Sequence, residues 1–247
     1  MSQFYLPGPW TQECMPASES LSHHLRVRRI HSSEIFQVFD GLGQIAQAQI
    51  SPESSPKSVL ITLKNIQQDR SSEASYPLEL VQGIAGNDKM DWLIEKSVEL
   101  GVSHIVPIQT ERSVVRLDEK RAEKRLNHWQ SIVIAACEQS GRTVIPKIHP
   151  PIQLSEWLST KQEAESTSPL KIILSPKGDL GLISILKRAP GQGVSLMIGA
   201  EGGFSAAEEA LAIKAGYVPA LMGNRVLRTE TAGIVAMSAV HTLWGGF

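Results

Sequence analysis

Leu196-Met197-Ile198-Gly199-Ala200-Glu201-Gly202-Gly203-Phe204-Ser205, followed downstream by Leu221-Met222-Gly223-Asn224-Arg225-Val226-Leu227-Arg228-Thr229-Glu230-Thr231-Ala232, decides how this chain folds. In each stretch a short apolar run of the kind that makes a buried parallel strand ends in glycine, and polar residues then open a helix. Glycine at such a junction lets backbone amides come close to a ligand. Ligands of open α/β sheets bind at the carboxyl ends of strands, so the two junctions are expected to share one site. Ser205-Ala206-Ala207-Glu208 forms a capping box that starts a helix, and Gly216 stops it.

The same alternation extends outward. Leu78 to Ile84, His104 to Ile108, Val144 to Ile148, Lys171 to Leu174, Val194 to Ile198 and Pro219 to Met222 are predicted strands. Between them lie a helix capped by Asn87 or Asp88 and ended by Gly101, and helices from about Asp118 to Gln139, Leu154 to Lys161, Gly181 to Lys187 and Ser205 to Ala215; a last one covers Ala232 to Leu243. This pattern predicts an α/β domain with a mainly parallel sheet. Residues 25 to 66 differ. Ile35 to Phe39, Ile45 to Ile50 and Val59 to Leu63 are short β-type runs broken by Asp40-Gly41 and by Ser51 to Ser58, which suggests a small β-barrel or sandwich. The polar stretch Gln67 to Ser75 is expected to be a linker, dividing the chain into 1–72 and 73–247.

At 247 residues and 42% hydrophobic content the chain has enough apolar material for an ordinary buried core. Met1 to Trp10 contains two prolines and no basic run, and no window reaches the ~20 apolar residues of a membrane span, so a cytoplasmic protein is expected. Cys14 and Cys137 lie far apart without CxxC spacing, and His23, His24 and His31 have no carboxylate companions at ligand spacing. Neither set points to a metal site. Cys137, on the apolar side of its helix, is expected in the core.

A net charge of −1 leaves local patches as the useful signal. Arg26, Arg28 and Arg29 crowd one segment. Arg112, Arg116, Lys120, Arg121, Lys124 and Arg125 crowd another, where Glu111, Asp118, Glu119 and Glu123 dilute them; a solvated helical face accounts for that second group as well as RNA does. The loop Gly199 to Gly203 has neither of the common phosphate-binding spacings, and Glu201 places a negative charge where a phosphate would lie. A neutral or cationic ligand fits better. Arg225 and Arg228 bracket Val226-Leu227 with Glu230 close by, an arrangement that suits a ligand site or a surface loop with an internal Arg–Glu pair.

These two segments, with Lys89-Met90-Asp91-Trp92-Leu93-Ile94-Glu95-Lys96-Ser97-Val98-Glu99-Leu100-Gly101, Glu138-Gln139-Ser140-Gly141-Arg142, His23-His24-Leu25-Arg26-Val27-Arg28-Arg29 and Phe39-Asp40-Gly41, resemble the ribosomal RNA small subunit methyltransferase E family of the SPOUT superfamily. The resemblance covers nearly the whole chain. One departure is Ala200, where the family commonly has proline.

The resemblance implies an N-terminal PUA-like β-barrel that binds RNA, then a SPOUT α/β domain with a trefoil knot. It further implies a homodimer, S-adenosylmethionine as cofactor and methylation of N3 of a uridine, position 1498, in the 16S ribosomal RNA of the small subunit. Leu174, Ile198, Gly199, Gly202, Gly203, Leu221, Gly223, Val226, Leu227, Thr231 and Ala232 are then expected at the cofactor. Arg228 is expected to stabilise charge on the base, with Glu230 or Glu201 taking the proton or orienting the arginine. Arg26, Arg28, Arg29, Arg112, Arg116, Arg142 and Arg225 are expected to meet RNA, and no metal is required. Two other readings stay open: a SPOUT enzyme for another RNA base or a ribose 2′-hydroxyl, and a non-catalytic RNA-binding assembly factor.

Overall fold

A computed structural model describes residues 3–55, 58–160 and 169–246. Two compact units result: Met1–Glu73 with Ile134–Ile145, and Ala74–Val133 with Pro146–Phe247.

The first unit holds β1 (Gln3–Tyr5), β2 (Cys14–Pro16), α1 (Glu19–Val27), β3 (Phe36–Phe39), β4 (Gln44–Ile50) and β5 (Leu60–Gln68). They form a curled five-stranded sheet in the order β1-β3-β4-β5-β2, antiparallel except for β1 against β3. Asp40 makes the turn between β3 and β4, its Oδ1 accepting from the amides of Leu42 and Gln44 at 2.7 and 2.9 Å. Ser18 caps α1 by accepting from Leu21 N, and Leu21 and Leu25 on one helix face enter a core with Phe4, Phe36, Val38 and Ile61.

The sequence patterning did not anticipate α1, whose apolar stripe is two residues wide, nor the three-residue strands β1 and β2. The expected linker from Gln67 begins inside β5. The expected break Ser51 to Ser58 includes residues 56 and 57, which lie outside the described residues, as does Lys161 at the end of a predicted helix.

The second unit contains β6 (Leu78–Gly83), α2 (Asn87–Glu99), β7 (His104–Gln109), the start of α3 (Glu119–Ser140), β8 (Lys147–Ile148), β9 (Ile152–Gln153), α4 (Leu154–Thr160), β10 (Leu170–Leu174), β11 (Leu180–Gly181), α5 (Leu182–Leu186), β12 (Val194–Ile198), α6 (Ala206–Lys214), β13 (Val218–Leu221) and α7 (Thr229–Trp244). The strands pair in parallel in the order β11-β13-β10-β12-β6-β7-β8, with β9 also on β7. Every residue of β12 is buried, as a central strand covered on both faces requires. Alternate residues serve the two faces. Val81, Ile173 and Met197 pack with Trp157 and Leu158 of α4 and Ala212 of α6, while α7 packs on β6 and β12 from the other side beside α2.

The predicted strand Val144 to Ile148 is regular only at Lys147–Ile148; Val144 instead bridges Gly41 and Leu42 in the first unit. Helix α2 is N-capped by Gly86 without a side-chain cap, in place of Asn87 or Asp88.

Candidate active site at the carboxyl ends of the parallel strands

Because the strands of the second unit are parallel, the segments that follow β6, β7, β10, β12 and β13 leave the sheet at the same edge. After β12 the chain turns tightly: Gly203 N donates to Ala200 O at 2.9 Å, and a Cβ on Gly199 would lie 2.9 Å from Gly203 Cα. The turn is pressed against β6, since a Cβ on Gly83 would fall 2.2 Å from Ala200 N. It is also covered by the segment after β7, where Arg112 Nη1 donates to Gly202 O at 3.3 Å and a Cβ on Gly202 would meet Arg112 O at 2.9 Å. This loop therefore needs glycine for close backbone packing, and phosphate binding is not required to explain it.

Four polar side chains hold the loop. Gln82 is fully buried and donates through Nε2 to Thr229 Oγ1 at 2.8 Å, and Thr229 Oγ1 donates in turn to Gly199 O. The first residue of α7 is thereby tied to the end of β12. Glu201 accepts through Oε1 from the amide of Gly86 and from Lys89 Nζ, both at 3.1 Å. Burial pushes this carboxyl up, but the Gly86 amide, its own amide and the Lys89 ammonium outweigh that and hold it below its ordinary value. Glu208, 5% exposed, caps α6 by accepting from Ser205 N at 2.8 Å through Oε2 while Oε1 accepts from Glu111 N at 2.8 Å. One carboxylate so fixes both the start of α6 and the segment that carries Arg112.

The second loop ends β13 at Leu221 and reaches α7. Gly223 takes φ +96°, a conformation disfavoured for residues with a Cβ, with nothing within 4 Å of the Cβ position. Leu174, Leu221 and Leu227 are half-buried, Ile198 is 3% exposed, and Val226 is 90% exposed. Arg228 is the exposed N-cap residue of α7, and Thr231 is exposed and Ala232 half-buried in its first turn. Glu230, in the same turn, buries Oε2, which accepts no hydrogen bond among the described residues.

Residues 72–241 match the model of an RNA methyltransferase domain, and residues 18–64 that of an RNA methyltransferase PUA domain. Ribosomal RNA small subunit methyltransferase E of Buchnera aphidicola is 32% identical over 94% of this chain and 88% of its own length. The chain belongs to the ribosomal RNA small subunit methyltransferase E family. Among solved structures, a family member from Neisseria gonorrhoeae bound to S-adenosylmethionine is 36% identical, covers 99% of this chain and 98% of its own, and superposes with a TM-score of 0.88. A methyltransferase from Legionella pneumophila in complex with the same cofactor is 32% identical, with 97% and 96% coverage and a TM-score of 0.86.

The family's expected residues fall in different places on this chain. Arg225 and Arg228 are exposed on the loop into α7, and Arg112 lies on the glycine turn. Arg116 is exposed near Glu111, with Nη2 3.5 Å from Glu111 O. Arg26, Arg28 and Arg29 are exposed at the end of α1 in the first unit. Arg142, unlike these, is 3% exposed, and its Nη2 donates to Glu73 Oε2 at 2.6 Å within the first unit.

Four residues that matter here were not singled out from the sequence: Gln82, Lys89, Thr229 and, beyond its capping role, Glu208. A glutamine at the end of the apolar run Leu78 to Gly83 was the one visible signal. The site fits S-adenosylmethionine. The open space at Gly223 admits close approach to backbone, the half-buried leucines at two strand ends and on the loop into α7 offer an apolar wall, and Glu230 leaves a buried carboxylate oxygen for a donor or positive charge. Among the described residues no helix is long and apolar enough to cross a membrane, and no group of three or more His, Cys, Asp or Glu side chains converges as a metal site.

Proposed function

We propose that this protein methylates N3 of a uridine, position 1498, in the 16S RNA of the small ribosomal subunit. It does so as a cytoplasmic homodimer whose C-terminal loops are threaded as a trefoil knot. The observation that carries the reading is the convergence of the β10, β12 and β13 ends with Arg228 and Glu230, locked by the Gln82–Thr229–Gly199 chain, in a member of this family. Backbone at Gly199, Gly202, Gly203, Leu221, Gly223 and Leu227, with Leu174, Ile198, Val226, Thr231 and Ala232, forms the cofactor-binding surface. S-adenosylmethionine supplies a methyl group activated by its sulfonium, and departs as the thioether.

The residues supply alignment, charge and a proton acceptor. Glu230 is the better acceptor of the two carboxylates, because Glu201 is already engaged by Gly86 and Lys89 while Glu230 Oε2 is buried with no hydrogen-bond partner among the described residues. The uracil N3 proton passes to Glu230 as the N3 electron pair forms the bond to the methyl carbon. Arg228, permanently cationic, balances the negative charge on the two flanking carbonyl oxygens. Exposed Arg112, Arg116 and Arg225 meet backbone phosphates, as Arg26, Arg28 and Arg29 do in the first unit.

Transfer of label from methyl-labelled cofactor to unmodified small subunits tests this. Arg228→Ala is expected to lower kcat by about 10² to 10³ at saturating cofactor with binding of the cofactor unchanged. Glu230→Gln is expected to fall by roughly 10² or more. Glu201→Gln should weaken cofactor binding by loosening the turn. A drop of only a few-fold for both Arg228→Ala and Glu230→Gln would remove these roles.

A further inference from the structure

Helices α2, α3, α6 and α7 each end on a glycine in the left-handed region, at Gly101, Gly141, Gly216 and Gly245. Helix α1 closes in the same manner, with Ile30 N donating to Leu25 O at 3.0 Å and Arg29 N to Arg26 O at 3.1 Å. The residue in the left-handed position there is Arg29, at φ +54°. Glycine is favoured at that position because a Cβ is disfavoured. An exposed arginine held against its backbone preference, where the chain elsewhere uses glycine, points to a use for the side chain.

That use is visible beside it. Arg26, Arg29 and His31 rim a cavity of about 310 Å³ whose lining also includes buried Leu25 and half-buried Ile50 and Val59. No carboxylate among the described residues lines it. The volume is at the low end of small-ligand sites, roughly 300 to 1,000 Å³. That is room for one nucleotide and not for a duplex. An apolar floor under a cationic rim matches an unpaired nucleotide, which offers a flat base and a phosphate together. Arg28, equally exposed one residue away, does not line the cavity and provides an internal comparison.

We propose that this cavity holds one unpaired nucleotide of the RNA substrate, its base on Leu25, Ile50 and Val59 and its phosphate on Arg26 and Arg29. The proposal rests on the reading of the protein as an RNA methyltransferase. It adds an anchoring point for single-stranded RNA, built entirely in the first unit.

The test uses the full chain. Arg29→Gly relieves the backbone conflict and removes the rim charge, so its melting temperature should rise while affinity for a mixed-sequence single-stranded RNA dodecamer falls about tenfold. The slope of log affinity against log salt should flatten by about 0.7, the value for one lost contact on a single strand. Arg28→Gln, whose phosphate contact lies outside the cavity, should flatten the slope by as much but lose less affinity. In methyl-detected NMR, uridine 5′-monophosphate should shift the Ile50 and Val59 signals, and ribose 5-phosphate should not.

Equal affinity losses for Arg28→Gln and Arg29→Gly, parental affinity in Arg29→Gly, or equal methyl shifts from ribose 5-phosphate would each overturn the nucleotide slot. Methyl transfer by the parent to small-subunit RNA is measured alongside. Its absence counts against the methyltransferase reading, whereas normal transfer with parental RNA affinity in Arg29→Gly rejects the slot alone.

Discussion

Single residues in this site act mostly by what they exclude or hold. Gly83 is fixed by sterics, since any Cβ would collide with the backbone of Gly199 and Ala200, which has no flexible end to move. Gly83→Ala is therefore expected to cost about 1 to 3 kcal/mol and to displace the glycine turn, weakening cofactor binding. Gly223→Ala meets no atoms and faces only the unfavourable φ, about 1 kcal/mol. Denaturant unfolding of both variants, with cofactor titration of each, checks the contrast; equal losses would mean the clash is relieved by backbone movement.

The two glycine junctions that lead from β12 into α6 and from β13 into α7 were legible in the sequence because their spacing is local. The burial of Arg142 was not legible because its partner, Glu73, lies 69 residues away and no spacing rule links them. Gln82 escaped notice for the same reason: its meaning comes from Thr229, which it meets only in the folded protein.

Elements whose apolar pattern is continuous were readable to within a residue or so. Strand β12 has the bounds expected for it, β10 differs by one residue at one end, and β13 is shifted by one residue at both. Helix α6 was legible from its capping box, which forms as expected, but the box also has a second task. Glu208 satisfies the amides of Ser205 and Glu111 with its two oxygens, whereas a glutamine offers only one acceptor oxygen. Glu208→Gln should thus lose about 1.5 to 3 kcal/mol of stability, the worth of one hydrogen bond to a charged group. It should also raise the KM for RNA through displacement of the Arg112 segment, while a variant that restores only the cap, such as Ser205→Asp on this background, should not rescue the KM. Full rescue would show that the link to Glu111 has no functional part. Short elements, β1, β2 and α1, were illegible because three to nine residues with one or two apolar anchors carry no decisive period.

For the whole molecule, alternation predicted a parallel sheet, yet it could not order the strands. The last strand, β13, lies between β10 and β11, both earlier in the chain, and β6 pairs with β12 across more than a hundred residues. Nor could patterning show that Ile134–Ile145 belongs with the first unit, where Gln3 Nε2 donates to the carbonyls of Cys137 and Arg142. The consequence for function is that one edge of one sheet gathers residues from positions 82 to 232, which is the basis for assigning a single catalytic site. Purified protein would be incubated with methyl-labelled S-adenosylmethionine and unmodified small ribosomal subunits, the RNA digested to nucleosides, and the labelled product identified by mass spectrometry. Label confined to 3-methyluridine at one position is the predicted result; label on another base or on a ribose would contradict the assigned reaction.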